Sequence, residues 1–465
     1  MPVLYCRIRA LRFVVSAHGD RKLSRYGIVG GGVLGMTLAW ELSKEGHDVT
    51  IFEGGPRCGG LAAPWQLGDV VWDRFYHVTL YSDQALRELL RELDLESELR
   101  WETPGTGFFV DGSMHPFCTT ADYLRFPPLS LVQKARLGAT ILYASRLKRW
   151  EPLERVTAVD WLTRLCGRGT VERIWLPLLR AKLGPHAQRA SAAFIWAIIA
   201  RMYAARSSGV GRERFGYVRG GYDRTLRRFE AHLRARNVTI RTSCPVQRVE
   251  ALPEGIGVVA DSELHHFDKV VVTLAAPLAA RICPTLSSRE RALCSGVEYQ
   301  GIICASVMLD RPLTSYYITN IADATMPFTA VIEMTALVDR KEFGGKSLVY
   351  LPKYVASDDP ALRLSDQEIE DSFLSALSRM HPHFSRSDVR AFRVSRVPHV
   401  FPIPTIDYSS RLPPIETSIP GLIMASSAHI VNGTLNVNET VRLAQRLLPI
   451  LSAQPAVQPL RAVAV

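Results

Sequence analysis

The chain of 465 residues has no C-x-x-C pair, no cluster with metal-ligand spacing and no serine triad. Its eight cysteines, Cys6, Cys58, Cys118, Cys166, Cys244, Cys283, Cys294 and Cys304, match neither a zinc site nor a disulfide-dense scaffold. Reduced thiols in a cytoplasmic protein are expected. No apolar run reaches the roughly 18 residues of a membrane-spanning helix. Acidic residues are also missing before Asp20, so residues 1–25 read as a basic leader, or an unstructured N-terminus from a start placed too early, outside the fold. A net charge of +11 carries no nucleic-acid recognition motif with it, so no nucleic-acid partner is expected. Gly345-Lys346-Ser347 imitates the end of a P-loop, but the first glycine of that motif would fall at Arg340.

What is present begins at Tyr26. A short apolar strand, Gly27-Ile28-Val29, runs into Gly30-Gly31-Gly32, then an apolar helix closed by Gly46, then a strand ending on Glu53. Gly30, Gly32 and Gly35 fill G-x-G-x-x-G at the start of a βαβ unit, with an acid placed to meet a ribose. Gly30 permits the turn, Gly32 lets a pyrophosphate approach the backbone, and Gly35 lets helix and strand pack closely. Val33 and Leu34 open the helix whose unpaired N–H groups face the phosphates. Directly after the acid come Gly54, Arg57, Gly59, Gly60 and Leu61. Arg57 can pair with a pyrophosphate, and the glycine pair lets the chain pass close to a ligand without a Cβ in the way.

In these two signatures, G-x-G-x-x-G and E-x(3)-R-x-G-G, the chain resembles the flavin-dependent amine oxidase superfamily. That group includes protoporphyrinogen oxidases, phytoene-type desaturases and, more distantly, UDP-galactopyranose mutases. The resemblance implies an α/β fold with FAD as cofactor. It implies a Rossmann-type FAD-binding domain of the GR2 flavoprotein kind, interleaved with an α+β substrate domain. It also implies that Val246, Ser427, Asn436 and Val437 contact the cofactor, the last two at a closing helix whose N-terminus faces the flavin. Two departures stand out. Ser426-Ser427 replaces the frequent Gly-Asp, and Leu61 replaces the arginine usual in amine oxidases. Gly-Gly-Leu-Ala is closer to the mutases and to oxidoreductases similar to protoporphyrinogen oxidase.

The chain divides on this reading into FAD-binding segments 26–83, 216–290 and 400–452, substrate segments 84–215 and 291–399, and a tail, 453–465. The first substrate segment is mainly helical, and the second is a sheet plus a helix. No second dinucleotide fingerprint appears, which argues against reduction by NAD(P)H within this chain. His77 and Lys182 are the candidate catalytic side chains, His77 because it follows the glycine loop and Lys182 as a lone lysine at an apolar helix end. Phe194, Trp196, Tyr203, Tyr217 and Tyr222 could line an apolar substrate cavity or pack a core. Residues 127–150 mix aliphatic and basic side chains, which allows peripheral membrane contact. Hydride transfer from a fairly hydrophobic small molecule to FAD is the expected chemistry. The alternative is a non-redox mutase reaction on a nucleotide sugar.

Overall fold

The computed structural model describes residues 23–204, 213–431 and 434–453, so most of the expected leader and the tail lie outside the described residues. A five-stranded parallel sheet sits at one end, in the order Thr239–Arg241, Asp48–Phe52, Arg25–Val29, Lys269–Val272, Leu422–Met424. Side chains alternate along its strands. Ile28, Ile51, Val271 and Ile423 face a core shared with the helices Val33–Lys44, Gly221–Ala235 and Val437–Ser452. Val29, Phe52, Val270, Val272 and Met424 face the other way, against the three-stranded sheet formed by residues 246–267. Burial on both faces explains why Lys269–Val272 reads as a continuous apolar run. Strands from three separate parts of the chain thus build one sheet.

A second sheet of seven strands runs in the order Val389–Pro402, Tyr299–Leu309, Ser347–Ala356, Ala330–Glu333, Tyr316–Ile321, Gly105–Val110, Ser113–Pro116. All pairs but Tyr316–Ile321 with Gly105–Val110 are antiparallel. The hairpin turn before Ser113 holds Asp111 and Gly112 at φ 51° and 70°, the left-handed pair that such a turn favours. Tyr299–Leu309 is buried at every residue. Ile303, Ala305, Val307 and Leu309 pack on the Asp366–Met380 helix, while Ile302, Cys304 and Met308 face the space between the two sheets. A layer of short helices from Leu131 to Ala204 roofs that space, starting with a Ser130–Gln133 capping box. Among the described residues no helix is long and apolar enough to cross a membrane.

The closing strand is Leu422–Met424, after which the chain turns at Ser427–His429 through a short 3-10 helix. The Phe194 and Trp196 rings lie in the helical core, not on a cavity wall, and Tyr217 and Tyr222 line a small separate crevice beside Asp73.

Glu333 is fully buried in the second sheet, where its carboxylate accepts the Leu313 N–H at 2.8 Å. Burial pushes its carboxyl up to about 7. The folded state therefore prefers it protonated: its contribution is full below about pH 4.5 and is lost as pH rises towards 7. The loss is at most about 3 kcal/mol. Urea midpoints for Glu333→Gln should exceed wild type at pH 8 and match it near pH 5; parallel pH dependences would contradict this.

Candidate functional site

The three glycines of the first turn have different physical reasons to be glycine. Gly30 has φ +110°, and a Cβ there would lie 2.4 Å from Thr273 Oγ1. At Gly35 a Cβ would strike the Gly30 carbonyl at 2.0 Å, so this residue sets the close approach of helix and turn. Gly32 is extended, at φ −68° and ψ 176°, and its own backbone would tolerate any residue. A Cβ there meets nothing nearer than Gly60 Cα at 3.9 Å. The space above Gly32 is thus a cradle that only a side chain would fill.

The second glycine pair closes on the first. Gly59 N–H donates to Gly31 O at 2.8 Å, and Gly32 and Gly59 form an isolated parallel bridge. Glu53 ties the two loops together: Oε2 accepts from Gly31 N–H at 2.8 Å and Oε1 from Gly55 N–H at 2.7 Å. Each oxygen keeps a lone pair for a further donor. Cys58, inside this loop, is buried, and burial pushes its thiol up to about 12, so no reactive thiolate is present.

The cradle opens into one cavity of about 1760 Å3 that continues between the sheets and under the helical roof. Its wall includes Gly30, Gly32, Val33, Leu34, Glu53, Gly59, Gly60, Leu61, Ser427, Asn436 and Val437, so two distant parts of the chain meet there. Two helix N-termini converge on it, at Val33 and at Val437. Asn436 caps the second, its side chain accepting the Glu439 N–H at 3.0 Å. The donor set, backbone N–H groups at two positive helix ends and a carboxylate at one extremity, suits a dinucleotide with an anionic middle. FAD fits these residues.

Three expected contacts fall elsewhere. Arg57 is turned away from the cradle, its Nη2 2.7 Å from Asp223 Oδ1, because the neighbouring helix presents a buried acid there. Gly54 packs beside Pro245, and Val246 opens the next strand; neither is on the cavity wall. Gly35 acts from behind, through packing.

His77 and Lys182 both reach the cavity. His77 Nδ1 donates to the Phe75 carbonyl at 2.9 Å, leaving Nε2 as the acceptor. Burial, with Arg74 nearby, pulls its pKa down to about 4. The ring is neutral at pH 7, and the ordinary imidazole range expected for it does not apply. Lys182 is not at a solvated helix end: Nζ donates to Tyr354 OH at 2.9 Å and lies 4.3 Å from the centre of that ring and 5.2 Å from Phe401. Tyr354 OH also pairs with Tyr76 OH at 2.8 Å. Tyr76 and Tyr354 escape sequence reading, since only sheet register brings positions 278 apart together.

A glycine cradle joined to an apolar chamber between two sheets defines an α/β flavoprotein of the Rossmann type. The family model for flavin containing amine oxidoreductases matches residues 35–445, and the chain belongs to that family. It is an FAD-dependent oxidoreductase. A stretch of 115 residues is 26% identical to the carotenoid phi-ring synthase of Chlorobaculum tepidum, covering 23% of this chain and 18% of that relative. The fold is similar to that of a candidate protoporphyrinogen oxidase from Exiguobacterium sp. 255-15, with TM-score 0.73, 18% identity, and 92% and 98% of the two chains covered. It is also similar to reduced UDP-galactopyranose mutase, with TM-score 0.71, 14% identity, and 92% and 96% covered.

Gly32→Val should abolish FAD binding while leaving the fold intact, since its Cβ enters only the cradle. Normal flavin absorbance in the purified variant would contradict this. Glu53→Ala should weaken FAD by more than the roughly 1.5–3 kcal/mol of its ribose hydrogen bonds, because the loops it ties are loosened as well. An unchanged dissociation constant would exclude Glu53 as the ribose ligand.

Proposed function

We propose that the protein oxidises a fairly hydrophobic small molecule by passing hydride to FAD. One observation carries this: the glycine cradle and the apolar chamber are a single continuous volume, so a bound substrate would lie against the cofactor. When bound, FAD supplies a two-electron hydride acceptor. Gly30, Gly32, Val33, Leu34, Glu53, Gly59, Gly60, Leu61, Ser427, Asn436 and Val437 would hold it. The division into segments 26–83, 216–290 and 400–452 for cofactor and 84–215 and 291–399 for substrate is supported by the strands of the two large sheets, but the Gln84–Glu92 helix and Leu99, given to the substrate side, pack into the core of the cofactor side. Phe75, Phe108, Phe117, Ile141, Phe215 and Ile332 give the chamber its apolar wall and exclude water. His77, neutral with Nε2 as acceptor, would orient substrate or flavin and not take up a proton. Lys182, with Tyr354 and Tyr76 behind it, would face the substrate.

Substrate candidates are an amine, a porphyrinogen-like ring and a polyprenyl chain. Each has a counterpart in the names of similar proteins: putrescine oxidase, a candidate protoporphyrinogen oxidase and a carotenoid ring synthase. A reduced-flavin mutase acting on a nucleotide sugar is the second reading, supported by Leu61 on the cavity wall and the likeness to the galactopyranose mutase. Anaerobic mixing with substrate should bleach the flavin and yield oxidised product. Isomerisation seen only after dithionite reduction would overturn this in favour of the mutase.

The setting is proposed as cytoplasmic with a membrane-facing side. The cysteines described are unpaired and, apart from Cys118, buried. On the roof, Leu124, Leu131, Val132, Leu142 and Tyr143 are 54%, 73%, 70%, 38% and 49% exposed, and Tyr123, Leu137 and Leu142 line the chamber. Arg125, Arg136, Arg146, Lys148 and Arg149 surround them with positive charge. Aliphatic side chains beside basic ones suit the headgroup region of an anionic bilayer. The wild type should sediment with phosphatidylserine vesicles at low salt, and reversing Arg146, Lys148 and Arg149 to glutamate should release it without loss of FAD. A wild type that stays in the supernatant would dispose of the contact.

A further inference from the structure

The cavity wall carries Glu53, His77, Lys182, Arg201, Glu213 and His399 as its acidic and basic groups among the described residues. Most are already answered. Glu53 takes two backbone N–H groups at the cradle end, and Arg201 Nη2 lies 2.9 Å from Asp83 Oδ2. Glu213 is engaged too, and His77 is neutral. Lys182 differs: among the described residues no carboxylate comes within ion-pair distance of it. Its neighbours are the Tyr354 hydroxyl and the Tyr354 and Phe401 rings, all of them neutral.

An ammonium has three N–H donors, and Tyr354 takes one. Ring faces attract a cation but supply no counter-charge and no further acceptor. Holding an ammonium half-buried among aromatic rings is unfavourable unless something in the cavity accepts its remaining donors. Residues on three elements hold it in place: the Leu176–Leu183 helix carries the lysine, the Ser347–Ala356 strand carries Tyr354, and Val389–Pro402 carries Phe401. Tyr76, hydrogen-bonded to Tyr354, fixes the phenol that meets the lysine.

We propose that Lys182 recognises the carboxylate of an otherwise apolar substrate. A single cation matches one negative charge. A phosphate would call for further cations, and the other one on the wall, Arg201, is committed to Asp83. The inference rests on the oxidoreductase reading above and narrows it. An amine would bring a second positive charge against the first, and a plain polyprenyl chain has no acceptor to offer. An acid-bearing ring or chain satisfies both the cation and the apolar wall.

The test uses FAD-loaded enzyme, with flavin content measured first, titrated with decanoate, decylamine, decanol and decyl phosphate and read by flavin absorbance and calorimetry. Decanoate should bind at least about 10-fold more tightly than decanol, as expected for one charge-assisted hydrogen-bonded pair, with decylamine weakest. Lys182→Met should reduce decanoate to the affinity of decanol with flavin content unchanged, and Lys182→Arg should keep the preference. Failure of decanoate to bind, equal affinities, tighter binding of decylamine or decyl phosphate, or a preference that survives Lys182→Met would each overturn the assignment. Loss of flavin in Lys182→Met would overturn it as well, by giving the lysine to the cofactor. A wild type that binds no FAD would instead overturn the oxidoreductase reading itself.

Discussion

Backbone meets backbone at the centre of this molecule. Gly30-Gly31-Gly32 and Gly59-Gly60 pass close enough for Gly59 N–H to reach Gly31 O, with no side chain between them. Glu53 holds that approach from both sides through its two carboxylate oxygens. The first helix packs against the turn only because Gly35 clears the Gly30 carbonyl. The chamber, in turn, opens from the cradle. A protein built this way tolerates change in its roof far better than in a handful of glycine positions.

The two halves of the cavity have opposite characters. At the cradle, helix ends and N–H groups present a positive field suited to phosphate. Beyond it the wall is aromatic and aliphatic, and charged groups are mostly neutralised in place. Desolvation strengthens each polar contact that remains. Within such surroundings Lys182, with no acidic partner among the described residues, is the group proposed to select what is admitted. The same burial keeps His77 unprotonated, which suits the acceptor role proposed for it.

Local patterns made much of the architecture legible. The turn-forming Asp111-Gly112 and the buried run at Lys269 each act over a few residues. Phe194 and Trp196 show where such reading stops. Either ring could have faced a cavity or a core, and only the packing of neighbouring helices put them in the core. Arg57 shows the same limit for charge. Its motif implied a phosphate, yet Asp223, 166 positions away, is the carboxylate it meets.

The sequence by itself determined the glycine cradle and its acid, because those depend on backbone freedom and residue spacing over short spans. Only the tertiary structure decided which groups share the chamber. Register between strands far apart in the chain brought Tyr76 to Tyr354, and helix packing carried Lys182 to their side. Contacts of that kind arise from the three-dimensional closure of the sheets, which no local spacing encodes.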